Sequence, residues 1–135
     1  MILGIGTDMV DKHRILRLLE AFPERFPAKI LTPAEREAMK RRPQASRASF
    51  LAKRYAAKEA CLKALGTGLA AGLSWQEMEI GSTEAGAPTL TLSGEALSAA
   101  RKKAGGEVAL HLSLTDEAAH ALAFVVITPV APGAR

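Results

Sequence analysis

Residues 50-FLAKRYAAKEACLKALG-66 decide how this chain is read. At about 100° per residue, Phe50, Leu51, Tyr55, Leu62 and Leu65 gather on one arc of a helix. Ala52, Ala56, Ala60 and Ala64 form a second row at i, i+4, and small residues in such a row let a helix lie close to another element. One long helix, from about 46 to 65 and stopped by Gly66, is therefore expected to bury two faces. Glu59 and Lys63 fall between those faces, and Lys58 falls within the large apolar arc. A charge there is costly unless it is paired or binds something. Glu59 and Lys63 read equally as members of a site or as an i, i+4 surface pair worth about 0.2–0.5 kcal/mol.

Upstream, residues 2–10 read as a strand with Ile2, Gly4, Gly6, Asp8 and Val10 on one face. The two glycines strip that face of side chains and admit a close neighbour. Asp8 at its end reads as a cap for the next helix or as a ligand. A dinucleotide fingerprint is excluded, because Met9 stands where its third glycine belongs. Residues 11–22 read as a helix with Lys12, Arg14 and Arg17 on it, bounded by Pro23 and Pro27. Thr32-Pro33-Ala34-Glu35 opens a short helix to about 41.

Downstream, strands at 75–81 and 87–92 pair across a turn at 82–86, and a helix runs from Ser93-Gly94-Glu95 to about 103. Strands at 107–115 and 119–128 follow, then a tail, 129–135, expected to fray. Helices early and strands late predict an α+β fold. In 107-EVALHLSLT-115, His111 shares a small polar face with Ser113 and Thr115, which suits phosphate recognition or a solvated sheet face. Gly66 reads as a helix stop, and Gly66-Thr67-Gly68 lacks the Lys-Ser/Thr pair of a Walker loop.

A chain of 135 residues predicts one domain, 1–135. Lysine and arginine number 18 against 14 acidic residues, and a net charge of +4 favours an acidic partner. Only 4% of residues are aromatic, too few for base-stacking platforms, so no nucleic-acid partner is expected. A competing reading is a non-catalytic basic module that binds phosphate groups, resting on Lys40-Arg41-Arg42; those cations also suit the end of a helix. The single cysteine, Cys61, excludes an internal disulfide and a four-cysteine zinc site. There is no basic leader, and the longest uncharged stretch, 118–134, falls short of the ~20 apolar residues of a membrane span. A cytoplasmic protein without a membrane partner is expected.

Together, 4-GIGTDMVDKHRI-15, the block ending KALGTG at Gly68 and 111-HLSLTDE-117 resemble the holo-acyl-carrier-protein synthase family of small phosphopantetheinyl transferases. The resemblance implies a 4'-phosphopantetheinyl transferase-like α+β fold, a small, mostly antiparallel sheet on a long central helix. It also implies a homotrimer with active sites between subunits. The implied reaction moves the 4'-phosphopantetheine arm of coenzyme A to a serine of apo-acyl carrier protein, with magnesium, releasing adenosine 3',5'-bisphosphate. On this likeness Asp8 and Glu59 match the metal carboxylates, and Lys63 the lysine beside the pyrophosphate. Arg54 and His111 match positions for coenzyme A phosphates, and Gly66, Thr67 and Gly68 the nucleotide loop. Arg14 and Arg17 match the surface that docks the acidic carrier. Magnesium often takes one or two carboxylates with phosphate oxygens and waters, so this pair suits it. The nucleophile sits on the partner, and the base is Glu59 or Lys63. Asp116 stands where many relatives carry histidine, and no role is carried onto it.

Overall fold

The computed structural model describes residues 1–131. β1 (Gly4–Asp11) crosses α4 (Arg47–Leu65) with no side chain between the two backbones. A Cβ on Gly4 would run into the carbonyl of Ala64, and one on Gly6 into the carbonyl of Ala60. The glycine face and the alanine row expected from the sequence thus meet each other. Phe50, Leu51, Ala52, Ala56, Ala60, Ala64 and Leu65 are all buried, so α4 buries two faces, as its pattern requires. Gly66 closes it at φ 75°, a left-handed turn that accepts glycine readily.

α1 (Lys12–Ala21) follows β1 directly, and α3 (Pro33–Lys40) carries the expected capping box between Thr32 and Glu35. β2 (Met78–Ser82) pairs with β3 (Pro88–Leu92) in a separate hairpin, and α5 (Gly94–Ala104) leads into β4 (Val108–Asp116) and β5 (His120–Pro129). The main sheet is antiparallel in the order β1-β5-β4. One register row runs Asp8, Ala123, Leu114; the next runs Thr7, Phe124, Ser113. Strand period two sends the first row towards α4 and the second to the open face. Among the described residues no helix is long and apolar enough to cross a membrane.

Four expectations shift. Residues between Pro23 and Pro27 are not a mere boundary: α2 (Arg25–Ile30) forms there, with Pro27 in its first turn, where no intrahelical N–H is needed. The strand expected from 75 begins at Met78, because Ser74 and Glu77 cap Trp75–Glu77 as a single 3₁₀ turn. β1 begins at Gly4, although the Leu3 N–H still donates to the Ile127 carbonyl. The expected frayed tail is partly ordered: β5 includes Pro129, and the Val130 N–H donates to the Glu107 carbonyl. Residues 132–135 lie outside those described.

Gly6→Ala tests the close crossing. Its Cβ would displace backbone, so chemical denaturation is expected to show a loss of about 2 kcal/mol. Gly68→Ala is the control: nothing lies within 4 Å of its added Cβ, and a change within about 0.5 kcal/mol is expected. Equal costs at the two positions would contradict the packing role.

Candidate active site

Asp8 leaves β1 on the helix side, just beyond the glycines, where α4 presents Glu59 and Lys63. The Lys63 ammonium donates to the Asp8 carboxylate at 3.2 Å and to the Thr7 carbonyl at 2.9 Å. Among the described residues Lys63 makes no ion pair with Glu59; its partner is Asp8. The simple i, i+4 surface pair is therefore set aside. Asp8 is not the helix cap either, because Asp11 fills that role by accepting the His13 N–H at 2.8 Å.

Burial pushes the Glu59 carboxyl above its ordinary value of 4.5, and the Asp8 carboxylate pushes it the same way; Lys63 and Arg14 oppose the rise. Two carboxylates from distant parts of the chain thus repel each other at one point. A proton or a nearby cation relieves such a pair, and the Lys63 ammonium already supplies part of that charge. Among the described residues no cluster of three or more histidine, cysteine, aspartate or glutamate side chains occurs. Glu59 and Lys63 line an open cleft of about 540 Å³ with Leu62, Gly66, Thr67 and Gly68. The loop after α4 and the charged residues before it therefore share one concavity.

Arg14 acts on Glu59 through its charge, and its guanidinium lies 5.6 Å from the Tyr55 ring centre. It also lines a groove of about 320 Å³ with Leu18, Phe22, Phe26, Tyr55 and Trp75. Arg25 and Lys29 add charge to that groove. Arg17 is exposed on α1 but lies outside this lining. The groove residues of α2 escaped the sequence reading. Phe22, Phe26 and Ile30 recur every four residues, a helical signal that the flanking prolines obscured.

Two expected site residues do not join the cleft of their own chain. Arg54 lies about 140° round α4 from Glu59, on the row of Phe50 and Lys58. Its guanidinium stacks over the Phe50 ring at 3.7 Å, and Arg42 approaches the same ring at 5.0 Å. The Arg54 Nε is buried without a hydrogen-bond partner among the described residues. Burial lowers its pKa to about 10, with Arg42 adding to the fall and Glu35 resisting it. His111 belongs to the register row of Val126 and Ile5, on the open face of the sheet, where its Nε2 lies 2.9 Å from the Thr128 hydroxyl.

That open face is not the small polar surface that β4 alone suggested. β1 and β5 add Ile5, 54% exposed, Met9, 63% exposed, Leu122 and Phe124. Asp116 lies elsewhere, in the row of Val10 and Ala121. It accepts from Lys12 at 2.7 Å and from Ser49 at 3.2 Å, with Lys53 at 3.9 Å. The Lys12 hydrogen bond chiefly holds its carboxyl below the usual 3.8. Asp116 ties α1, α4 and the end of β4 together.

The chain matches the 4'-phosphopantetheinyl transferase superfamily over residues 4–124. A holo-[acyl-carrier-protein] synthase of Methylobacterium sp. (strain 4-46) is 52% identical over 129 residues, 94% of this chain and 94% of that protein. The crystal structure of holo-[acyl-carrier-protein] synthase from Neisseria meningitidis superposes with a TM-score of 0.82 at 41% identity, covering 95% of this chain and 99% of that one. The Bacillus anthracis str. Ames holo-(acyl-carrier-protein) synthase, in complex with CoA (3',5'-ADP), gives 0.79 at 34% identity, covering 96% and 99%. With identity at this level over nearly the full length of both partners, on one shared backbone, the chain belongs to the holo-[acyl-carrier-protein] synthase family of 4'-phosphopantetheinyl transferases.

Proposed function

We propose that the chain transfers the 4'-phosphopantetheine group of coenzyme A to a serine of an apo-acyl carrier protein, and that the cleft at Asp8, Glu59 and Lys63 is where it does so. The observation that carries the siting is the convergence of two mutually repelling carboxylates and one ammonium group beside the loop 66–68. The carrier serine oxygen forms a bond to the phosphorus that bears the pantetheine. The bridging P–O bond breaks, and the second phosphate leaves with the adenosine as adenosine 3',5'-bisphosphate. Asp8 and Glu59 would hold a magnesium ion, which neutralises the diphosphate and steadies the leaving phosphate.

Glu59, with its raised pKa, is the better placed proton acceptor for the serine hydroxyl. The Lys63 ammonium, already a donor to Asp8 and Thr7, turns its charge to the diphosphate oxygens. Gly66, Thr67 and Gly68 offer backbone to the nucleotide. Arg54, with a like-charged neighbour in Arg42, lies away from the cleft of its own chain, so it would meet a phosphate of coenzyme A at the cleft of a neighbouring subunit. The basic, apolar-floored groove beside Arg14 receives an acidic carrier, with Arg17 on its flank.

The exposed apolar face of the sheet supports an assembly in which other copies cover this surface, and the family resemblance makes that assembly a homotrimer. His111 lies on that face, so it would serve the cleft of a neighbouring subunit rather than its own.

Asp8→Asn is expected to lower turnover by about 10²-fold or more, read as the mass gain of apo-carrier with coenzyme A and magnesium. It should also bring the Glu59 pKa back towards 4.5, followed by carboxyl NMR. The sign follows from the cation: protonated Glu59 cannot ligate, so in the parent protein magnesium affinity falls as pH drops through the raised value. Near-normal turnover in Asp8→Asn would contradict the metal assignment. Arg14→Glu is expected to raise the KM for carrier about tenfold and to leave that for coenzyme A nearly unchanged, with a weaker salt dependence. Equal effects on both substrates would remove the docking role. Finally, inactive His111→Ala and inactive Glu59→Gln chains, refolded together, are expected to regain activity, because a mixed interface pairs one intact His111 with one intact Glu59. No recovery in mixed trimers would place both residues in one subunit's site.

A further inference from the structure

Lys58 stands beside Glu59 in sequence, yet it points the other way and is wholly buried. Its ammonium group donates three hydrogen bonds: to Glu35 Oε1 at 2.6 Å, to the Ile30 carbonyl at 2.6 Å and to the Trp75 carbonyl at 3.2 Å. Glu35 is equally committed, accepting the Thr32 N–H at 2.8 Å and the Ile80 N–H at 2.7 Å. Such a buried pair is weak evidence for stability as such, since an apolar pair of similar volume often does as well. What an apolar pair would not do is bind backbone.

The two carbonyls that Lys58 holds belong to Ile30 and Trp75, and both residues line the groove beside Arg14. Ile30 ends α2, which also supplies Phe26 and Lys29 to the lining; Trp75 comes from a separate segment and stacks on Tyr55 at 5.5 Å. α2 has six residues, too few to hold its own shape in water. Its last carbonyls lack intrahelical partners and find them in this one place. Lys58 takes that of Ile30, and the Gln76 amide takes those of Ala28 and Lys29 at 3.0 and 3.4 Å. We propose that Lys58 is a positioning residue: by joining the Ile30 and Trp75 carbonyls it sets the orientation of α2 and the width of the groove that docks the carrier protein. One turn of α4 then serves two ends, with Glu59 directed to the chemistry and Lys58 to the shape of the docking surface. The inference rests on the docking assigned to that groove above.

The test uses full-length Lys58→Met, Glu35→Gln and the double variant. Trp75 is the sole tryptophan, so its fluorescence reports on the wall it forms. Lys58→Met is expected to shift that emission to the red with far-UV circular dichroism retained. It should raise the KM for carrier about tenfold while the KM for coenzyme A stays within about twofold. The double variant is expected to recover thermal stability, because no unpaired charge remains buried, yet to keep the high KM for carrier. If the double variant recovers both, the pair contributes stability only and the proposal is overturned. A folded Lys58→Met with unchanged emission and unchanged KM for carrier overturns it as well. Should Lys58→Met fail to fold, Gln76→Ala removes the exposed tie to the same helix end. It is expected to raise the KM for carrier by about threefold, and no change there counts against the proposal. Arg14→Glu separates the two readings. If it leaves carrier binding intact, the docking assignment fails, while the Trp75 emission still decides whether Lys58 holds the wall.

Discussion

The backbone of β1 rests on the carbonyl side of α4 at Ala60 and Ala64, and the rest of the molecule takes its place from that contact. Any side chain at Gly4 or Gly6 would hold the two elements apart. Without one, Asp8 arrives at the level of α4 where Glu59 and Lys63 project. The same closeness creates the electrostatic tension of the cleft. Burial and a neighbouring carboxylate both disfavour the charged form of Glu59, while Lys63 and Arg14 offset part of that cost.

The main sheet divides its labour by parity. Residues facing α4 complete the core, through Val10, Ala121, Ala123, Val125 and Ile127. Residues facing away carry His111 and the exposed Ile5, Met9 and Phe124. An apolar patch on a charged protein is an incomplete surface, and a histidine set into it belongs to whatever covers the patch. Within one chain, His111 and Asp8 therefore lie on opposite faces of the main sheet.

α4 organises a second, buried system on its far side. Lys58 and Glu35 gather backbone from α2, α3, the turn at Trp75–Glu77 and β2 around one ion pair. Every polar atom named there has a partner, so the cost of burying the charges is met by hydrogen bonds to main chain. The short elements that border the groove beside Arg14 have little core of their own, and this pair supplies their common anchor. Asp116 does related work at the end of the sheet, where Lys12 and Ser49 converge on it.

Periodicity alone determined much here. The two buried faces of α4, the bare face of β1, the capping box at Thr32 and the α+β order were all legible, because each depends on residues within a turn or a strand of one another. The two small-residue faces were legible as surfaces that admit a close neighbour, whereas the joining of Asp8 with Glu59 came only from the family resemblance. Tertiary structure decided the rest. Only the fold shows that Lys63 pairs with Asp8 rather than Glu59, that Arg54 faces Phe50, and that His111 lies on the open side. It alone reveals α2, which prolines concealed and which side chains from distant segments hold in place. Local spacing sets which residues share a face; which faces meet depends on contacts between residues far apart in the chain, and no short window of sequence contains both partners.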